Sequence, residues 1–142
     1  MLTSARNQFK GTVSAVKFGP VNAEVDIDLG GSDKLVAVIT HDSVTNLGLK
    51  AGSEVYALVK ASWVILAPEN GEMRFSTRNR MYGTVAKVTT GAVNSEVTLD
   101  LNGGSQLIAI VTNESVAGLG LKEVVRACAL FKASSVILGV KD

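Results

Sequence analysis

Val25, Ile27 and Leu29 alternate with Glu24, Asp26 and Asp28, and this period of two predicts a half-buried strand from Asn22 to Leu29. Upstream, a polar tip leads into a β-like run, Gly11-Thr12-Val13-Ser14-Ala15-Val16, which a Gly19-Pro20 turn separates from that strand. Gly30-Gly31-Ser32-Asp33 supplies the residues a tight hairpin demands. Leu35 to Thr40 is a nearly continuous apolar run, expected to face core on both sides. Asp42 to Leu47 is the one helical candidate, a turn or two long and closed by Gly48. Strands Val55 to Lys60 and Val64 to Leu66 complete the unit.

The whole pattern then repeats. Ser4-Ala5-Arg6-Asn7 returns as Ser76-Thr77-Arg78-Asn79, and the stretch from Ser4 to Glu69 lies over Ser76 to Lys141 without a gap, about half of the positions identical. The second copy keeps the alternation in Glu96-Val97-Thr98-Leu99-Asp100-Leu101, the hairpin in Asn102-Gly103-Gly104-Ser105, and the helix in Glu114 to Leu119 with Gly120. The expected architecture is all-β with one short helix per repeat: two tandem OB-like five-stranded β-barrels. Residues 1–69 form the first domain, 70–75 a linker and 76–142 the second domain. A linker of this length should hold the copies together.

Composition narrows the class. Of 142 residues, 46% are hydrophobic and only 5% aromatic, so Val, Leu, Ile and Ala must build the core. A unit of roughly 70 residues is marginal alone, and one cysteine with one histidine allows neither disulfides nor a metal staple, so self-association is expected. A net charge of +1 supplies no basic face for nucleic acid. Met1 to Arg6 has no apolar core of a signal peptide, and no run approaches the ~18 apolar residues of a membrane span. With a lone cysteine, the chain reads as cytoplasmic.

No catalytic constellation stands out. His41 becomes Asn113 in the second copy and reads as a solvated loop histidine. Cys128 replaces Tyr56 within a strand and reads as a buried, inert thiol. Glu24 and Glu96, with Asp28 and Asp100, read as a solvent face. What both copies retain is a set of hydrogen-bond donors. Ser4, Arg6 and Asn7 match Ser76, Arg78 and Asn79; Lys60, Ala61 and Ser62 match Lys132, Ala133 and Ser134; Thr40 and Ser43 match Thr112 and Ser115. Guanidinium, ammonium, hydroxyl and helix-start N–H groups suit an oxyanion. Each also has a structural explanation: a helix cap, a frayed terminus, a lysine that discourages edge pairing. Repetition across diverged copies keeps an oxyanion site open beside these.

The Ser-Ala-Arg-Asn opening, Gly11-Thr12-Val13, Asn22-Ala23-Glu24-Val25, the Thr-x-x-Ser before a short helix and Lys-Ala-Ser-x-Val-Ile-Leu together resemble the Mop domain of small molybdate-binding proteins, the molbindins. The resemblance covers nearly the whole chain, twice. It implies OB-like barrels assembled as a homotrimer, binding molybdate or tungstate as ligand, with no cofactor and no catalysis. It places the anion at domain interfaces: one partner supplies Ser4, Ala5, Arg6 and Asn7, and the other Thr40, Ser43, Lys60, Ala61 and Ser62. In the second copy the matching positions are Ser76, Thr77, Arg78 and Asn79, with Thr112, Ser115, Lys132, Ala133 and Ser134. A second class of site near the three-fold axis would involve Gly19, Val21 and Asn22, with Gly91, Val93 and Asn94. The function implied is storage, buffering or homeostasis of molybdenum. A molybdate-responsive regulatory module is the first alternative, and an OB-like binder of single-stranded nucleic acid the second.

Overall fold

A computed structural model describes residues 2–70 and 73–142. Ten strands and two helices follow the repeat: β1 (Asn7–Phe18), β2 (Asn22–Gly30), β3 (Asp33–Thr40), α1 (His41–Leu47), β4 (Glu54–Val59) and β5 (Ile65–Pro68) come first. Then come β6 (Asn79–Thr90), β7 (Asn94–Leu101), β8 (Gln106–Thr112), α2 (Asn113–Leu119), β9 (Arg126–Phe131) and β10 (Ile137–Gly139). One-turn 3-10 segments, Ala61–Trp63 and Ala133–Ser135, precede β5 and β10.

Local chemistry accounts for most of these elements. β2 buries Val25 and Ile27 and leaves Asp28 outward, as its period of two requires. β1 is longer than the Gly11–Val16 run, because Phe9 is also buried and Asn7 already pairs with Val59 on β4. Gly11 and Gly83 are needed for close approach: a Cβ at Gly83 would sit 2.4 Å from the Asp100 carbonyl oxygen, and one at Gly11 2.6 Å from Ile27 Cγ2. Both helices start at a threonine and stop at a left-handed glycine, Gly48 (φ 65°) or Gly120 (φ 63°).

β3 departs from expectation. Leu35 and Ala37 are buried, but Val36 and Val38 are only half-buried, so one face looks into the core and not both. The reason is position: β3 is an edge strand, and its outer face is partly covered by the second repeat's 3-10 turn.

The sheets are two antiparallel five-stranded curls, ordered β10-β4-β1-β2-β3 and β5-β9-β6-β7-β8. The repeats have therefore exchanged their last strands. Ile65–Pro68 of the first repeat pairs with β9, and Ile137–Gly139 of the second pairs with β4. The division at residues 69 and 76 follows the sequence repeat, whereas each sheet draws strands from both copies; Gly71 and Glu72 of the expected linker lie outside the described residues. One buried cluster runs through both sheets, from Phe9, Val25 and Ile27 to Val97, Leu107 and Phe131.

Candidate functional site

The exchanged strands carry the 3-10 turns with them, and this regroups the candidate donors. Lys132-Ala133-Ser134 of the second repeat packs against β3, whose end carries Thr40. Ser134, Thr40, Ser43 and Leu47 line one cavity of about 290 Å³, floored by Val136 and Leu138. In the matching place, the turn after Lys60 packs against β8, which ends at Thr112. Thr40 and Ser43 thus meet the Lys-Ala-Ser segment of the other repeat, and not Lys60, Ala61 and Ser62 of their own.

The hydroxyl pairs are preset. The Thr40 Oγ1 accepts the Ser43 backbone N–H at 3.1 Å and donates to Ser43 Oγ at 2.9 Å. Thr112 accepts the Ser115 N–H at 3.1 Å, and the two hydroxyls lie 2.8 Å apart. One first-turn N–H of each short helix is thereby satisfied internally, so the hydroxyls present the remaining polar surface. Ser62, Lys60, Ser134 and Lys132 are exposed, while Ala61 and Ala133 are buried anchors that fix each turn. Lys60 Nζ rests 5.5 Å from the Trp63 ring centroid; Ser135 at the matching position leaves Lys132 without that support.

The Ser-x-Arg-Asn segments are more committed than sequence suggested. Asn7 is buried, and its side-chain amide donates to the Ile108 carbonyl at 2.8 Å while its oxygen accepts the Ile108 N–H at 2.7 Å. Asn79 does the same with Val36, both bonds at 2.8 Å. Each asparagine is a side-chain rung on the other repeat's edge strand. Arg6 bridges to Glu96 and Arg78 to Glu24, again between repeats. Glu24 and Glu96 are therefore half-buried ion-pair partners and not a free solvent face, a role that spacing alone does not signal. Strand register sets Arg6 beside Lys60, since Asn7 faces Val59, and Glu96 faces Ile110 near the Thr112 end of β8. Ser4 and Ser76 are exposed, Ala5 is half-buried, and the buried Thr77 Oγ1 has no hydrogen-bond partner among the described residues.

The turn residues stand apart from these clusters. Gly19 N–H donates to the Asn22 carbonyl at 2.8 Å and Gly91 N–H to that of Asn94 at 2.9 Å, leaving Val21 and Val93 among the most exposed apolar residues. His41 is not a free loop residue: it opens α1, its Nε2 lies 2.6 Å from the Gly19 carbonyl oxygen, and its ring meets Phe18 edge-on at 5.0 Å. Asn113 makes the matching contact to the Gly91 carbonyl at 3.0 Å. The two residue types thus do one job, tying the turn to the helix.

Cys128 is buried under Ala67 and Leu130, and burial pushes its thiol above the usual thiol range, with the Tyr82 hydroxyl and Arg80 charge offsetting part of this. Among the described residues, no three His, Cys, Asp or Glu side chains gather as a metal site would need. No helix among the described residues is long and apolar enough to cross a membrane.

Comparison with known proteins places this arrangement. Residues 3–66 and 76–138 each match the model of the TOBE domain. The crystal structure of the cytoplasmic molybdate-binding protein ModG, with molybdate bound, superposes with a TM-score of 0.94 at 58% identity, over 99% of this chain and 100% of that one. The molybdenum-pterin-binding protein MopA of Rhodobacter capsulatus is 48% identical over 140 residues, which is 99% of this chain and 53% of MopA. The molybdenum transport protein ModE of Azotobacter vinelandii is 47% identical over 140 residues, 99% of this chain and 52% of ModE. The chain spans about half the length of these curated relatives.

Proposed function

The chain belongs to the TOBE-domain family, carrying the domain twice, and from that premise we propose that it binds molybdate, and tungstate as its near equivalent, without catalysing a reaction. The observation that carries the reading is the pairing of the Thr-x-x-Ser cap of one repeat with the Lys-Ala-Ser turn of the other, present twice. A tetrahedral dianion cannot leave water without strong partners, and ammonium and hydroxyl donors supply charge-assisted hydrogen bonds. Exposed Lys60, Ser62, Lys132 and Ser134 leave each cluster open on one side. A second chain that closes it would exclude water and add the Ser-x-Arg-Asn backbone, so the proposed working form is a homotrimer with anions at its interfaces. The Gly19-Val21-Asn22 and Gly91-Val93-Asn94 turns are proposed as a second class of site near the three-fold axis. The proposed setting is the cytoplasm, and the proposed role is storage, buffering or homeostasis of molybdenum.

Molybdate titration tests this, followed by Trp63 emission, thermal stability and equilibrium dialysis, with sulfate and phosphate as controls. Saturable retention with a raised melting temperature is expected. No molybdate-dependent change in any of the three would refute the proposal. Native mass spectrometry with and without molybdate reports chain number and bound anions together. The match to about half of ModE supports a second reading, in which the unit signals molybdate to another protein; a molybdate-dependent pull-down distinguishes it.

A further inference from the structure

Donors shared by both repeats are the ones proposed above for the oxyanion sites, so charges found in one half of the molecule and not at the matching positions call for a different explanation. A cleft of about 290 Å³ lies between β3 of the first repeat and the start of β6 in the second, lined by Ser32, Lys34, Arg78, Arg80, Tyr82 and Asn102, with Asp33 at its base. Its volume is at the lower end of the range for small-ligand sites, about 300 Å³. Asn79 and Met81 are buried, so Arg80 and Tyr82 form the outward row at the start of β6, spaced by roughly 7 Å, with Arg78 exposed just before the strand.

Two of the cations there, Lys34 and Arg80, are not paired by the protein's described residues. Arg78 is bridged to Glu24, and the Asp33 carboxylate is occupied by the backbone N–H groups of Gly103 at 2.9 Å and Ser105 at 3.2 Å. Among the described residues, Lys34 and Arg80 have no carboxylate within ion-pair distance. Lys34 and Arg80 come from strands of different sheets that meet at this cleft, and like charges facing one cleft repel unless an anion joins them. The corresponding positions in the other half are Gln106 for Lys34, Gln8 for Arg80 and Lys10 for Tyr82, and Lys10 is paired with Glu54 at 3.6 Å. The Gln8 side chain is spent on the backbone of Leu2, Thr3 and Ala5. The matching positions thus keep two cations, Arg6 and Lys10, each paired with a glutamate, whereas Lys34 and Arg80 have no such partner among the described residues.

We infer that this cleft is a separate binding site for a small ligand bearing a diphosphate group, with Lys34 and Arg80 as its charged anchors. Two unpaired cations on different strands suit an extended anion better than a single compact one. Ser32 and Asn102 offer further polar contacts at the rim. The exposed Tyr82 ring closes the row and would carry an organic group attached to the diphosphate.

Isothermal titration of the full chain with inorganic pyrophosphate, in excess molybdate to occupy the oxyanion sites, tests the proposal. Saturable binding is expected, with amide shift changes at Lys34, Arg80 and Tyr82. Lys34→Gln and Arg80→Gln, both at exposed positions, should each weaken it about tenfold, the scale of one lost hydrogen bond to a charged group. Molybdate binding by the same variants should not change, which separates this site from the function proposed above. A nucleoside diphosphate forms the second arm. Tighter binding that falls back in Tyr82→Ala assigns an organic diphosphate, and equal binding assigns the inorganic anion. The inference is overturned if pyrophosphate does not bind, if it binds only when molybdate is absent, or if the double variant binds it like the parent.

Discussion

Asn7 and Asn79 were candidate anion ligands by sequence, and the fold uses both side chains as structural rungs, so their removal should be felt before any ligand is added. Asn79→Ala deletes two hydrogen bonds of 2.8 Å to the Val36 backbone, and Asn7→Ala deletes the pair to Ile108 at 2.7 and 2.8 Å. A typical net contribution is about 0.5–1.5 kcal/mol per bond, and a backbone group left dry costs about 1–3 kcal/mol. Val36 and Ile108 are half-buried, so water recovers part of the second cost, and each variant should lose about 2–3 kcal/mol. Thermal melts of molybdate-free protein at fixed concentration measure this, with a drop of roughly 6–10 °C expected for a chain of this size. The two rungs share no partner, so the double variant should lose the sum. An apo variant that melts like the parent yet fails to bind molybdate would refute the reasoning, because the amide would then be acting on the ligand and not on the strand.

Two further predictions concern the frame of the molecule. Val124 holds a left-handed φ of 67° while 82% exposed, where the first repeat has Gly52; Val124→Gly should stabilise the protein by about 0.5–1 kcal/mol in urea melts, and Gly52→Val should do the opposite. Arg126 braces the end of β5 through Glu69, and its hydrogen bond holds the Glu69 carboxyl below the usual carboxylate range. A depressed carboxyl contributes stability above its unfolded pKa and loses it as pH falls through the folded one. The melting difference between parent and Glu69→Gln should therefore be present at neutral pH, shrink into the acid range, and diminish in high salt because the pair is exposed.

Much of this protein is written locally. Alternation in Glu24 to Leu29, the threonine and glycine that bracket each helix, and the glycines of the hairpins all act over a few residues. Their consequences could be read in order along the chain, and so could the duplication. The donor types of the candidate sites were legible for the same reason, since residue identity and spacing are sequence properties. Their partners were not. Asn7 meets Ile108, Arg78 meets Glu24, and Ser134 faces Thr40 only because distant strands are brought together. A duplicated sequence is also ambiguous in a way a single domain is not. Ile65–Pro68 and Ile137–Gly139 have nearly the same local preferences, so either could complete either sheet, and no periodicity tells a strand which copy to join. The tertiary structure decides it through long-range pairing: each 3-10 turn, flanked by extended residues, directs its strand onto the other repeat. The sequence therefore determined the parts and their chemistry, while the exchange of two short strands determined which parts face one another.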